Sequence, residues 1–429
     1  MLAAQVIGRP FWMCMILAVS LRASDKGVVL VREYKADSAA LVDISSDGRF
    51  ILTQGSRYVR CRDSGPKCRV EVLTVYDSRT GRRLGEQLSA DQGSFHPFGF
   101  VQGSRVSAVS SRRDAQQRTT MSNWLQWDPV LDSRTELPWP NNLAFSPMCQ
   151  LDGDRFLGMV RDRSSPRRVK MKLADASGLH ELQQPFIPDS YPVSDGRGAY
   201  PLLLSLMPAN CRAWRSTTSY LFQSEGYPPT LHWISTEGTR APRVCRSFPG
   251  ERIHGYAVSP DTALLVVVTG TGDLPVGGVR YRVFLNVLDG KNCEVLRRFP
   301  VQFPEKPGWT APLLNPERKQ PNYVPFFDQF ASHIAISPDN RNLALAYGLY
   351  RAPDGIAFFG LYSLTNGRRL ATLRGDTYRG GFWHAILHNT EVIWAGAAPI
   401  TGAMQFSSDS RMLFATSEHL YQWNIADLK

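Results

Sequence analysis

The chain has 429 residues, 43% hydrophobic and 20% charged, with a formal charge of +11. Such a composition excludes a disordered or fibrous chain, and at this length it lets folding bury roughly 75% of the unfolded surface. The length fits two or three average domains or one large unit built from repeats, and the many glycines and prolines, spread along the chain, point to many turns.

At the N-terminus, Arg9 precedes the apolar run Phe11 to Val19, and the small residues Ser20, Ala23 and Ser24 follow. This is the pattern of a secretory signal peptide over residues 1–23, cleaved after Ala23 or Ser20; a buried N-terminal strand or helix is the other reading. The run is too short to cross a bilayer, and no other stretch approaches about 18 consecutive apolar residues. No membrane span is expected, and the mature chain is expected to be secreted or periplasmic. Cys14 follows Phe-Trp-Met rather than the small residues of a lipoprotein site, so no lipid anchor is expected.

Val28 to Tyr34 (VVLVREY) reads as a strand with nothing local to pair with. The repeating unit is plainest at Phe330 to Arg374. There Ile334 to Ser337, Leu343 to Gly348, Ile356 to Ser363 and Arg369 to Arg374 are four short strands. Ser337-Pro338-Asp339-Asn340 and Thr365-Asn366-Gly367 supply turns between them. Four short antiparallel strands bury both faces only by stacking against copies. A third strand with its following turn recurs at Tyr76 to Gly81, Trp127 to Asp132, Leu173 to Gly178, Trp233 to Gly238, Leu285 to Gly290, Tyr362 to Gly367 and Trp423 to Leu428. The first turn recurs at Ser45-Ser46-Asp47-Gly48, Ser259-Pro260-Asp261 and Ser407-Ser408-Asp409. The expected fold is therefore all-β: a seven-bladed β-propeller of four-stranded antiparallel blades over residues 24–429. The last repeat, from Gly402, supplies only three strands. Val28 to Tyr34 is expected to pair with Glu418 to Ile425 as the fourth and to close the ring.

SPDNRNLALAYG followed by GLYSLTNG, and SSDGRFILTQG followed by TVYDSRTG, resemble the blades of WD40-repeat proteins, and Trp127-Asp128 matches their Trp-Asp dipeptide. YVTN-type and TolB-type bacterial propellers share the turn. The resemblance implies a propeller that serves as an interaction scaffold. Two connections, residues 303–329 and 375–399, are too long for hairpins and would lie as insertions between blades, on the face of the loops joining second and third strands.

Beyond the leader the cysteines are Cys61, Cys68, Cys149, Cys211, Cys245 and Cys293. Cys61 and Cys68 flank a turn-rich hairpin tip, which favours a disulfide between them. A second bridge, Cys211 with Cys245, is expected within blade four, leaving Cys149 and Cys293 unpaired. Zinc would require closer cysteine spacing and a second pair, so no metal is expected.

The connections between second and third strands in the first three blades are strongly basic. They carry Arg57, Arg60, Arg62, Lys67 and Arg69; then Arg112, Arg113 and Arg118; then Arg161, Arg163, Arg167, Arg168 and Lys170. Propeller topology would gather these loops on one rim, where they either form a solvated surface or attract an acidic partner. A protein or an anionic polymer is the expected partner. Nucleic acid is not, because no run of aromatics interleaves the arginines as a stacking platform.

His384 and His388 have the spacing of helical zinc ligands, but Ala385 stands where a metalloprotease needs glutamate. No nucleophile elbow, phosphate loop or dinucleotide fingerprint is present. The expectation is a monomeric interaction scaffold with no cofactor and no assigned catalytic residue. The alternative is a secreted propeller hydrolase, lyase or redox enzyme with its site at the central channel mouth.

Overall fold

The computed structural model describes residues 28–34, 40–60, 67–89, 93–113, 119–139, 145–150, 154–161, 169–175, 178–181, 219–224, 230–235, 243–271, 282–302, 325–326, 334–349, 356–377, 404–416 and 419–428. The regular elements among them are all strands, and no helix among them is long and apolar enough to cross a membrane.

The described strands form seven antiparallel sheets. The first contains β2 (Ala40–Ile44), β3 (Phe50–Arg60), β4 (Lys67–Asp77) and β5 (Arg83–Leu88), side by side in chain order. The second contains β6 (Ser94–Gln102), β7 (Arg105–Arg113), β8 (Thr119–Asp128) and β9 (Ser133–Pro138). The third contains β10 (Phe145–Gln150), β11 (Phe156–Arg161), β12 (Val169–Asp175) and β13 (Gly178–Glu181). The fourth shows β14 (Ser219–Ser224), β15 (Thr230–Ser235) and β16 (Arg243–Ser247). The fifth contains β17 (Arg252–Val258), β18 (Leu264–Thr271), β19 (Arg282–Asp289) and β20 (Val295–Pro300).

The sixth contains β22 (Ile334–Ile336), β23 (Asn342–Leu349), β24 (Ile356–Ser363) and β25 (Arg369–Thr377). In it the short β21 (Pro325–Phe326) pairs with the far end of β23, beyond β22. The seventh joins β26 (Met404–Phe406), β27 (Met412–Thr416) and β28 (Leu420–Asn424) to β1 (Val29–Tyr34). In that pairing Tyr34 lies opposite Leu420, and Leu30 opposite Trp423. The N-terminal strand thus completes the last sheet at the place its sequence indicates.

Burial explains the order of strands within a sheet. A central strand can be apolar on both faces, as in β18, where Val266, Val267 and Val268 are all fully buried. Such a strand reads as a continuous hydrophobic run because both of its faces are covered. Fourth strands are less covered, and β9 is exposed along its whole length. The apolar faces meet sheet to sheet. Val287 and Val266 pack with Leu345 and Tyr362, and Phe359 and Ala344 with Leu413 and Trp423. Tyr34 and Phe414 pack with Leu41 and Ile51, Leu52 and Val75 with Val106 and Trp127, and Phe98 and Val109 with Phe156. Four-stranded antiparallel sheets stacked face to face in chain order are the architecture of a β-propeller.

Local chemistry sets the turns. After the first strand, Ser45 Oγ donates to Asp47 Oδ1 at 2.6 Å while accepting from the Phe50 backbone N–H at 2.7 Å. Ser259 with Asp261, Ser337 with Asp339 and Ser407 with Asp409 repeat the arrangement. Burial opposes ionisation of Asp47, Asp261 and Asp409. The donated serine and backbone hydrogen bonds outweigh it and hold these carboxyls below the ordinary carboxylate value.

After the third strand, Gly81, Asp132, Cys293 and Gly367 all take a positive φ, of 72°, 49°, 61° and 70°. This corrects the alignment of the fifth repeat. β19 runs on to Asp289, so the turn spans Leu288 to Cys293 and not Leu285 to Gly290. In the third sheet Asp175 pairs directly with Gly178, a shorter connection than the six-residue match suggests.

Candidate interaction face

The two ends of the sheets differ in how their polar groups are used. At one end lie the turns after the first and third strands, bonded to each other within a sheet: the Ser78 N–H donates to Arg49 O, and the Gly290 N–H to Ala263 O, each at 2.8 Å. They are also bonded between sheets. Asn340 Nδ2 donates to Asp261 Oδ2 at 2.6 Å, and the Asp339 N–H to Ser410 Oγ at 3.1 Å. This end is a network of short turns whose donors and acceptors serve the fold.

Among the first strands, β2 carries a buried carboxylate that ties three sheets together. Asp43, 3% exposed, accepts from the Phe100 N–H of the second sheet at 2.7 Å through Oδ2, and from Gln405 Nε2 of the seventh at 3.3 Å through Oδ1. Gln405 Oε1 in turn accepts from the Ile44 N–H at 3.0 Å. Gly99 permits this approach: its φ is 103°, and a Cβ there would stand 2.3 Å from Asp43 Oδ2. Sequence reading passed over Asp43 and Gln405. A glycine inside the apolar run Phe98-Gly99-Phe100 is the available signal of a close approach, but it does not name the partner.

The other end carries the hairpins between second and third strands, and here the basic residues sit. The expectation that they lie on loops is corrected for those that the structure describes. Arg57 and Arg60 belong to β3, Arg112 and Arg113 end β7 opposite Thr120 and Thr119, and Arg161 ends β11 opposite Val169. The strands run further than their apolar cores because the hairpins continue past the region that neighbouring sheets cover. Arg62, Arg118, Arg163, Arg167 and Arg168 lie outside the described residues.

These cations are not equivalent. Arg57 Nη2 is 2.5 Å from Glu86 on β5, which Arg83 also holds at 2.9 Å, so Arg57 has a counter-charge within its own sheet. Arg60 and Arg69 are exposed and have no acidic partner among the described residues. Tyr58, 70% exposed, stands directly across the ladder from Arg69, and Arg60 stands across from Lys67. One aromatic side chain, Tyr58, therefore stands among the cations of this hairpin, which is short of the run of aromatics that a stacking platform for nucleic acid needs.

Toward the inner strands, Glu71 Oε2 accepts from Gln54 Nε2 and from the Phe95 N–H, both at 2.8 Å. Nearby, burial pulls the His96 pKa below the usual imidazole range, with the Glu71 charge opposing it. Glu71 is therefore engaged in joining the first and second sheets. Among the described residues no group of three or more His, Cys, Asp or Glu stands together to hold a metal ion.

The cysteines overturn one pairing. Cys245 of β16 is bonded to Cys293, not to Cys211, with Cα atoms 5.3 Å apart. Cys293, expected to be free, is the turn residue of the next sheet, and Trp233 Nε1 lies 3.1 Å from its Sγ. The reason is topological: β16 brings Cys245 beside the turn that follows the third strand of the next sheet, where Cys293 stands. Cys68 is disulfide-bonded. Cys61, its expected partner, lies outside the described residues, as do Cys211, the leader 1–23, His384 and His388. Of the expected insertions, the described parts are residues 325–326, which form β21, and residues 375–377, which end β25.

No family model matches the chain, and no curated protein matches it in sequence. Among solved structures, it is similar to Kuenenia stuttgartiensis hydrazine synthase, with a TM-score of 0.44 and 11% identity over 93% of this chain and 98% of that one. It is also similar to the beta-propeller domain of the Trilobed protease from Pyrococcus furiosus, with a TM-score of 0.40 and 8% identity over 92% and 97% of the two chains. A eukaryotic initiation factor follows, with a TM-score of 0.36 and 10% identity over 91% and 86%. At these identities and TM-scores the likenesses assign no activity to this chain.

Proposed function

We propose that this chain is an exported, WD40-like propeller of seven blades that works as a scaffold, binding an acidic partner protein through the end that carries the long basic hairpins. Among the described residues, seven sheets, a last sheet completed by β1, and contacts running from the fifth sheet through the seventh to the first and on to the third support a closed ring. The Cys245–Cys293 bond supplies the contact between fourth and fifth sheets. Only the junction of third and fourth sheets falls largely on residues outside those described.

One observation carries the functional reading: Arg60 and Arg69, exposed and without an acidic partner among the described residues, lie at the same end of the sheets as Arg112, Arg113 and Arg161, while at the opposite end the turns bond to one another. A cluster of like charges without counter-charges raises the local potential and speeds encounter with an anionic partner. Arginine suits carboxylates in particular, because its planar fork engages both oxygens.

The experiment is a pull-down from the native compartment at low ionic strength, followed by repetition with Arg60, Arg69, Arg112 and Arg113 changed to glutamate. The expected result is a partner recovered by the wild type and lost by the variant, and released as salt shortens the Debye length from about 10 Å at 0.1 M to about 3 Å at 1 M. Equal recovery by both proteins would leave these arginines as a solvated surface only.

A further inference from the structure

We infer that the β3–β4 hairpin is the anchoring element of the basic end, and that it takes an acidic polypeptide segment bearing an aromatic or apolar side chain beside its carboxylates. The inference rests on the interaction-face reading above and adds to it a contact that salt does not screen.

Strand alternation divides the hairpin into two unlike faces. On one, Arg57 is paired with Glu86 and Val70 is buried, so that side belongs to the sheet. On the other, Gln54 and Glu71 hold the backbone of Phe95 at the inner end, joining the first sheet to the second. Further out along that same face come Tyr58 opposite Arg69 and Arg60 opposite Lys67. Among the described residues Tyr58 has no hydrogen-bond or ring partner, and it is 70% exposed, although a side chain of this size ordinarily buries most of its ring.

Tyrosine and arginine together are the chemistry that dominates protein interfaces. The ring supplies a large rigid contact area at little conformational cost, and the guanidinium supplies a bidentate grip on carboxylates. Their arrangement also discriminates between anions. A single-stranded nucleic acid requires successive aromatic platforms along a cationic groove, and this hairpin face offers one ring. An acidic segment with one apolar side chain fits one ring flanked by cations.

The test uses fluorescent peptides titrated at low salt: a short oligoglutamate, the same peptide with one central phenylalanine, and an oligothymidine of similar charge. The phenylalanine peptide is expected to bind about ten-fold more tightly than plain oligoglutamate, the increment of one partly buried aromatic contact. Tyr58→Ala should abolish that ratio while leaving oligoglutamate affinity and its salt dependence unchanged. Tyr58→Phe should keep the ratio. Arg69→Gln should weaken both peptides and flatten the salt dependence.

Oligoglutamate that binds with no preference for the phenylalanine peptide, or a preference that survives Tyr58→Ala, would overturn the anchor and leave the basic face standing. Oligothymidine binding that exceeds the phenylalanine peptide and falls with Tyr58→Ala would assign the face to nucleic acid instead. No binding of any anion would remove the interaction face together with its anchor.

Discussion

Two junctions between neighbouring sheets use the same turn position and secure it by opposite means. Where the seventh sheet meets the first, the outer strand β1 sends Arg32 over the turn that follows β4. Arg32 Nη2 donates to Arg79 O at 3.2 Å, and a Cβ on Gly81 would stand 2.3 Å from Arg32 Nη1. Where the fourth sheet meets the fifth, the outer strand β16 sends Arg243 to the matching carbonyl, Lys291 O, at 2.5 Å. There the residue matching Gly81 is Cys293, bonded to Cys245 of that outer strand. At the junction of fifth and sixth sheets, Phe299 of β20 covers Gly367 in the same way that Arg32 covers Gly81.

The left-handed turn residue is thus the point at which each of these sheets touches its predecessor's outer strand. Glycine lets a neighbouring side chain lie over the bare backbone. A cysteine in the same conformation sacrifices roughly 1 kcal/mol of backbone comfort and gains a covalent bond.

Removing that bond should give the largest effect on this comparison. Cys293→Ser should destabilise the protein by about 4 kcal/mol, the loop-entropy value for a link across 48 residues, read as a lower urea midpoint. Cys293→Gly should lose about 1 kcal/mol less, because it restores the residue that the positive φ favours. Identical midpoints for the wild type, oxidised and reduced, would show that the bond adds nothing to this junction.

Filling the glycine junctions comes next. Gly367→Ala should cost about 2–3 kcal/mol, since the new Cβ meets the Phe299 ring at 2.2 Å and the ring is held within the core of the fifth and sixth sheets. Gly81→Ala should cost about 1–2 kcal/mol, because the guanidinium that it meets can move away. Equal losses at the two sites, measured by thermal unfolding, would mean that backbone conformation and not the neighbour's stiffness sets the penalty.

Alkali should separate the junctions chemically. Burial pushes the Tyr34 pKa up to about 12, and its hydroxyl donates to Gln422 Oε1 at 2.8 Å within the seventh sheet, beside the first. A value raised above the ordinary 10 means that the neutral form stabilises the fold below about pH 10, and that this contribution fades as pH rises toward about 12. Hydrogen exchange should therefore loosen β1 over that window before β16. Tyr34→Phe should remove part of the alkaline dependence and cost about 1 kcal/mol at neutral pH. Simultaneous loosening of both strands in the wild type would count against a distinct role for Tyr34.

The smallest effect belongs to the shared feature. Arg32→Gln and Arg243→Gln each remove a solvent-exposed hydrogen bond to a turn carbonyl and should cost about 0.5 kcal/mol or less. A much larger loss at Arg243 than at Arg32 would show that the arginine positions the disulfide.

The repeat was readable in the sequence because its determinants are local. Ser45, Asp47 and Phe50 close their turn within five residues, as do Ser337, Asp339 and Asn342, so the motif itself contains every partner. The pairing of β1 with β28 was readable for a related reason: an orphan strand and a sheet lacking one strand have complementary deficits. The candidate site was readable only in composition. Sequence located a basic segment from Arg57 to Arg69 but could not separate Arg57, paired with Glu86 from another strand, from Arg60 and Arg69, which have no acidic partner among the described residues.

By itself, then, the sequence determined the all-β class, the four-strand unit, its serine–aspartate turns and the completion of the last sheet, all of which follow from hydrogen bonds and hydrophobic runs within a few residues. The tertiary structure alone decided that Cys293 bonds to Cys245, that Gly99 makes room for Asp43, and that Tyr58 shares an open face with Arg60 and Arg69. Those outcomes depend on how far each strand runs and how one sheet is rotated against the next. Side-chain packing across the whole sheet face sets that rotation, and no local pattern encodes it.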